Sequence, residues 1–365
     1  MPQNSSMKPR PQRLSYLDWL RGLAAIIMLQ GHVFHSFLRN DLRSDGPYKL
    51  SQFVGGMPPA VFLFLLGVTF SFLMDSQERK GVSSWGRVLA SMRRSGYLFA
   101  VAFAFRLQLW LVSIDKSPWT DLFRVDVLNV MGLSLLLLSV MAVFRTVERI
   151  RLCAILGVAI ALASPIVSNI DWSAVHPFLR FYIIPDHLNF GIFPWAAFVA
   201  FGMSAGSLLR RLRSPEDVMS AMQWFGWGGL ALAFGCWSIS NMSLSVYSNS
   251  DFWLNGPALI MIKLGVILML LAFAYVWNLQ LAPERWSWVR QFGTTSLLVY
   301  WVHVELVYGR ALGYFKESLS LAQTCFMAVG VILLMLSLSL ARTNWNTVKV
   351  WFGAAETAPE RVPGD

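Results

Sequence analysis

Residues 13–37 read RLSYLDWLRGLAAIIMLQGHVFHSF. The run is apolar and close to the length of a membrane span. Yet it carries Asp18 and Arg21 near its start, and His32 and His35 further on. Ionisable side chains are costly in hydrocarbon, so within a span they point to function. Arg21 and His32 stand eleven positions apart. At ~100° and ~1.5 Å per residue this spacing puts both on one helix face, about 16 Å apart along the axis. Asp18, three residues before Arg21, is within its reach. Lipid cannot solvate such a stripe, so the helix must turn it toward the interior of a bundle.

The remaining composition points the same way. Of 365 residues, 56% are hydrophobic and 14% charged, where soluble domains carry about 25% charged residues. Mean hydropathy is +0.52. This is an all-α integral membrane protein of many spans. Its 16 Trp and 26 Phe suit interfacial belts and lipid-facing surfaces. The net charge of +10 does not imply a nucleic-acid partner, because the excess Lys and Arg lies in short loops. Cys153, Cys236 and Cys325 each fall in an apolar run, with neither a disulfide framework nor metal-ligand spacing. No small-residue cleavage pattern follows the first apolar run, which therefore reads as a retained anchor.

Ten apolar runs have helix-compatible length: 18–38, 57–75, 95–114, 125–144, 152–169, 191–209, 223–243, 256–278, 292–312 and 320–341. They predict a ten-span membrane domain over 15–342 between short tails, 1–14 and 343–365. Loop charge gives the direction. One set of loops is basic, with Arg79, Lys80, Arg87, Arg93 and Arg94, then Arg145, Arg149 and Arg151, then Arg210, Arg211 and Arg213, then Arg285 and Arg290. The alternate loops mix signs, as in Arg39, Asp41, Arg43 and Asp45. The positive-inside rule then makes both termini cytoplasmic. Arg21 lies near the cytoplasmic face and His32 beyond the midpoint, toward the outer face.

The segment LDWLRGLAAIIMLQGH, with Arg and His separated by ten residues in a first span, resembles the transmembrane acyltransferase superfamily. Four later segments resemble its heparan-α-glucosaminide N-acetyltransferase-like branch. They are PAVFLFLLGVTFSF (59–72), RVDVLNVMGLSLLL (124–137), LNFGIFPWAAFVAFGMSAG (188–206) and FGTTSLLVYWVHVELVYG (292–309). The five lie in order along nearly the whole membrane region. The Arg-x10-His spacing itself is similar to that of the acyltransferase family 3 branch. In the eukaryotic heparan enzymes the position matching His32 looks like Asn, with the active His further along, so the heparan substrate does not carry over. The resemblance implies transfer of an acyl group, usually acetyl, from cytoplasmic acyl-CoA to a saccharide on the far side. It implies no metal cofactor, makes a homodimer possible, and fits the inner membrane of a bacterium.

Such a transfer needs a base for the attacking hydroxyl or amine, and groups that hold the thioester and the anionic CoA. Histidine suits base chemistry near neutrality. On this reading His32 is the base or acyl carrier, Arg21 contacts CoA, and Asp18 fixes the guanidinium. The plainer alternative is an interfacial Asp18–Arg21 salt bridge and a helix-packing His32. His303, mid-span in YWVHVEL, either assists His32 or packs against a neighbouring helix. Glu305 points to another side of that span, as an acceptor contact or a boundary residue. Arg106 needs a partner inside its span, either CoA phosphate or a carboxylate such as Asp126. Arg124, Asp126 and Asn129 begin the fourth span and line the acceptor site or form an interfacial ion pair. Asp186, His187 and Asn189 bind acceptor hydroxyls or cap a loop. His35 is a relay or an interfacial residue. Lys263 snorkels outward.

A different class remains open, a transporter or flippase for a lipid-linked saccharide, which also places ionisable groups mid-bundle. Such proteins often show paired halves with broken spans. Gly55–Pro59 has no matching partner in the second half, which favours the enzyme.

Overall fold

The computed structural model describes residues 14–44, 46–112, 117–184, 190–242, 247, 249–280 and 286–345. Asp186, His187, Asn189 and most of both tails lie outside the described residues. In chain order the helices are α1 (Ser15–Phe37), α2 (Gly46–Gly55), α3 (Pro58–Arg79), α4 (Ser84–Val112), α5 (Val127–Leu138), α6 (Thr146–Ser168) and α7 (Pro177–Ile183). Then follow α8 (Ile192–Arg211), α9 (Pro215–Ser240), α10 (Pro257–Gln280), α11 (Trp288–Thr294), α12 (Ser296–Tyr308) and α13 (Leu321–Thr343). Among the described residues there is no strand, only one isolated bridge between Leu38 and Leu319.

Helix starts follow local chemistry. Asp126, Ser214 and Ser320 cap α5, α9 and α13, each in a reciprocal capping box with the residue three further on. Proline opens α3 and α9, where its missing N–H has no helical partner to lose. Each of the ten apolar runs of the sequence coincides with a helix or helix pair among the described residues, although α4 begins well before the run at 95–114 and α9 before that at 223–243. Among the described residues six helical segments are long and apolar enough to cross a membrane, and Val127–Val143 and Ser296–Tyr308 are shorter, predominantly apolar helices. Two features have no counterpart in the hydropathy pattern. The short helix α2 precedes α3, and the run at 292–312 is broken at Thr295 into α11 and α12.

The helix that holds the Asp18–His32 stripe is the centre of the bundle. It packs against α2, α3, α10, α11, α12 and α13. Its Leu20 and Ala24 join one apolar core with Phe64 and Val199, while Ala25, Leu29 and Val33 join a second with Val299 and Val331. Against α11 the approach is backbone to backbone. A Cβ on Gly22 would overlap the Val289 carbonyl, and one on Gly293 would overlap the Asp18 carbonyl. Only glycine permits this spacing. Peripheral helices present apolar side chains outward, with Trp224 of α9 77% exposed and Phe326 of α13 78% exposed, as a lipid contact requires.

At the end of the bundle where α1 begins, the charged residues are tied together. Asp75 accepts from Arg210 at 3.0 Å and pairs with Arg79 at 2.9 Å. Arg149, fully buried, donates to Ser207, Thr146 and the Phe144 carbonyl and lies 3.6 Å from Glu78. Arg149 and Arg210, part of the basic loop pattern, thus also brace α3, α6 and α8 against one another.

Candidate active site

A cavity of about 940 Å³ runs along one face of α1. Arg21, Met28 and His32 line it from that helix, spaced as one helical stripe demands. Arg94 of α4, Arg342 of α13 and the α11–α12 break at 293–296 line it with Arg21, and Val127, Leu128, Met131, Phe190 and Tyr300 complete the wall. Arg21 donates to Asp18 at 2.8 Å, so the carboxylate holds the guanidinium at the cavity edge. The helix break is anchored by Gln291, whose amide donates to Ser339 Oγ at 2.9 Å and Thr343 Oγ1 at 2.7 Å. Polar residues 294–296 thus face a cavity, the setting in which interrupted helices are stable at membrane depth.

His32 meets His303 of α12. Nδ1 of His32 lies 2.9 Å from Nε2 of His303, and the rings are near parallel at 17°. His303 is fully buried, and its Nδ1 lies 2.8 Å from the Val299 carbonyl. A carbonyl only accepts, so Nδ1 of a neutral His303 carries the proton and Nε2 is an acceptor. His32 must then donate from Nδ1, which leaves the lone pair on its Nε2. The tautomers assigned by this network make His32 the one ring of the pair with an available base nitrogen. Tyr308 packs edge-on to His32 at 5.3 Å, and Tyr300 packs against His303 at 5.7 Å.

The other candidate residues fall elsewhere. Arg106 does not line the cavity. Its Nε lies 3.1 Å from Asp126 Oδ2, at angles poor for a hydrogen bond, so the contact is an ion pair. Asp126 also caps α5 through Oδ1, accepting from Leu128 and Asn129 N–H. Asn129 accepts from Asp126 N–H and donates to Tyr182 OH at 3.2 Å. Asp126 and Asn129 therefore have their polar groups engaged within the protein, and they place the α5 residues that wall the cavity. Arg124 stands just before this cap and is not in the cavity wall. Glu305 is also off the cavity, with a buried Oε2 that has no hydrogen-bond partner among the described residues. His35 lies one turn beyond His32, exposed, with Nδ1 3.3 Å from Tyr48 OH. Lys263 turns inward. Its Nζ donates to the Gly56 carbonyl at 3.2 Å and sits over the Trp195 ring. An inward carbonyl and ring offer the ammonium what an outward path would have taken from water.

Arg342, Gln291 and Tyr300 were not singled out from the sequence as site residues, and Arg94 read mostly as a topology charge, with attraction of CoA as a minor reading. Arg94 and Arg342 belong to loop and tail charges that set topology, and nothing in their spacing brings them to Arg21. Among the described residues no group of three or more metal-ligating side chains occurs.

A family model described as "Heparan-alpha-glucosaminide N-acetyltransferase, catalytic" matches residues 13–252. The matched stretch contains Arg21, His32, Arg94 and Asp126 and ends before α10. No curated protein matches the chain.

Proposed function

The chain belongs to the heparan-alpha-glucosaminide N-acetyltransferase catalytic family, and from that premise we propose that it moves an acetyl group from cytoplasmic acetyl-CoA to a saccharide on the opposite side of the membrane. The proposed frame is a ten-span domain over 15–342 with both termini cytoplasmic. The loop-charge alternation supports it, as do six long apolar helices, two shorter ones, and α1 and α9. Arg21, Arg94 and Arg342 then ring the cytoplasmic mouth, where three cations suit the phosphates of CoA. The acyl arm would lie along the α1 stripe toward His32, whose position matches that of the His in the family 3 Arg-x10-His pattern.

The observation that carries the reading is the His32–His303 pair at the deep end of the cavity. The acceptor hydroxyl or amine attacks the thioester carbonyl carbon while Nε2 of His32 takes its proton. The carbon–sulfur bond breaks, and the CoA thiolate leaves and is reprotonated from His32. A variant route forms an acetyl bond on Nε2 first and releases CoA before the acceptor attacks. In both, His303 holds the tautomer and ring of His32, as an orienting partner does in other His-based sites. Asp18 positions Arg21. Asp126, Asn129 and Arg106 support the wall on the acceptor side, with Arg124, Glu305, Asp186 and His187 as further acceptor-side candidates.

The test is purified full-length protein with acetyl-labelled acetyl-CoA and a saccharide panel. Wild type is expected to label at least one acceptor, and His32→Ala to retain only a small residual rate while still binding CoA. Full activity in His32→Ala, or binding and transport of sugar with no transfer to any acceptor, would refute the proposal. Rapid quench without acceptor separates the routes, since only the second leaves label on the protein.

A further inference from the structure

The end of the bundle at which α1 finishes holds a second cavity, of about 590 Å³, between the end of α6, residues 249–251 and the turn into α10. It shares no lining residue with the central cavity. Its volume is within the ~300–1,000 Å³ of small-molecule sites. Apart from Ile184 and Leu254, its lining side chains among the described residues are amides, hydroxyls and one carboxylate, with no Lys or Arg.

These polar groups are held in place. Asn255 Oδ1 accepts from Asp251 N–H at 2.9 Å, and Asp251 Oδ1 accepts from Trp253 N–H at 2.8 Å. Asn169 donates to the Asn249 carbonyl at 2.7 Å. Ser168 Oγ, at the same wall, is buried with no hydrogen-bond partner among the described residues. Beside the cavity Trp253 is 65% exposed, and its ring meets Phe53 of α2 at 6.2 Å. The same helix covers α1 one residue before His32, where Gln52 donates to the Gly31 carbonyl. Trp253, the residue before the lining Leu254, therefore reaches from the rim of this cavity to α2, the helix that covers α1 beside His32.

The ligand class follows from the donor set. Fixed amides and hydroxyls both donate and accept, which matches a polyhydroxylated molecule. Among the described lining residues a phosphate or sulfate would find no Lys or Arg and would face Asp251. An acyl chain would bury polar groups without partners. Exposed indole and phenyl faces suit the apolar face of a sugar ring. We infer that this cavity binds a second, uncharged sugar unit of an acceptor glycan whose reactive unit sits at His32. The inference rests on the saccharide-acetyltransferase reading above.

Binding to the full-length protein in nanodiscs, read by titration calorimetry, tests it without turnover. The probes are uncharged tetrasaccharides of glucose, mannose, galactose and N-acetylglucosamine, each beside its monosaccharide and a sulfated form. At least one tetrasaccharide is expected to bind about tenfold tighter than its monosaccharide, the scale of a stacked ring with one or two hydrogen bonds. The sulfated form should lose that gain. Asn169→Ala and Trp253→Ala should each abolish it and leave acetyl-CoA binding unchanged. The hydrogen bond of Asn169 goes to the Asn249 carbonyl and not to α2, so agreement of the two variants argues against a simple loosening of that helix. The inference is overturned if no tetrasaccharide outbinds its monosaccharide, or if the gain survives in either variant. Lack of transfer alone would count against the enzyme proposal, and the calorimetry would still decide the cavity.

Discussion

Replacing His303 is the sharpest perturbation of the histidine pair. His303 Nε2 is the acceptor for His32 Nδ1–H at 2.9 Å, inside a fully buried contact. In His303→Leu that N–H loses its acceptor, which costs about 1–3 kcal/mol for a buried donor. The lost bond also lets His32 adopt the tautomer whose Nε2 is protonated and unable to accept a proton. At ~1.4 kcal/mol per factor of ten, kcat/KM should fall about 5- to 150-fold. Gln carries its side-chain oxygen out to nearly the Nε2 position and accepts a hydrogen bond there. His303→Gln should therefore lose about fivefold or less, the bottom of that range. The assay is transfer of label from acetyl-CoA to acceptor by full-length protein, with melting temperatures to confirm folding. In a His32→Ala background, His303→Leu should change the residual rate by no more than about twofold, because a residue acting through another loses its effect with it. An undiminished effect in that background, or a Leu variant as active as the Gln variant, would refute the orienting role.

Three further outcomes follow from the geometry. Arg94→Gln and Arg342→Gln should each raise the acetyl-CoA KM about tenfold, the scale of one charge-assisted contact, and leave the acceptor KM alone; an acceptor-only effect would move the donor mouth elsewhere. Gly293→Ala drives a methyl into the Asp18 carbonyl and should destabilise the fold by at least about 1–3 kcal/mol, read by thermal unfolding in detergent. Gly313→Ala, with open space at its Cβ, is the control and should leave the melt nearly unchanged. Arg149→Ala removes a fully buried guanidinium from Ser207, Thr146 and Glu78 and should cost about 3–5 kcal/mol; a melt within error of wild type would show that the network does not brace α3, α6 and α8.

Much of the architecture was legible in the chain because helix formation in apolar segments is a local matter. All ten apolar runs are helical, and caps such as Ser214 with Asp217 stand where the sequence puts Ser before an acidic residue. The shared face of Arg21 and His32 was equally legible, since helix pitch alone sets it, and both do line one cavity. Asp18 reaches Arg21 for the same reason. The α11–α12 break was not legible. Residues 292–312 are apolar enough to read as continuous helix, and the break is held by Gln291 bonding to α13, a contact between distant segments. For Asp126 and Asn129 the sequence left an acceptor-site role and an ion pair equally open, and only the fold shows the capping box that joins them and the Arg106 ion pair of Asp126. Lys263 looked free to snorkel until α10 was placed beside the Gly56 carbonyl.

By itself, then, the sequence determined a helical membrane protein, the rotational phase of α1, and which of its side chains share a face. Those follow from hydrophobic length and a 3.6-residue pitch, quantities that need no knowledge of neighbours. Only the tertiary structure decided what α1 faces. It brought His303 across 271 positions to His32, gathered Arg94 and Arg342 around Arg21, and packed Gly22 and Gly293 backbone to backbone. The physical reason is that helix pairing depends on surface shape and on small residues at close contacts, which hydropathy does not encode. The tautomer of His32, and with it the identity of the base nitrogen, rests on such a contact and on the Val299 carbonyl behind it.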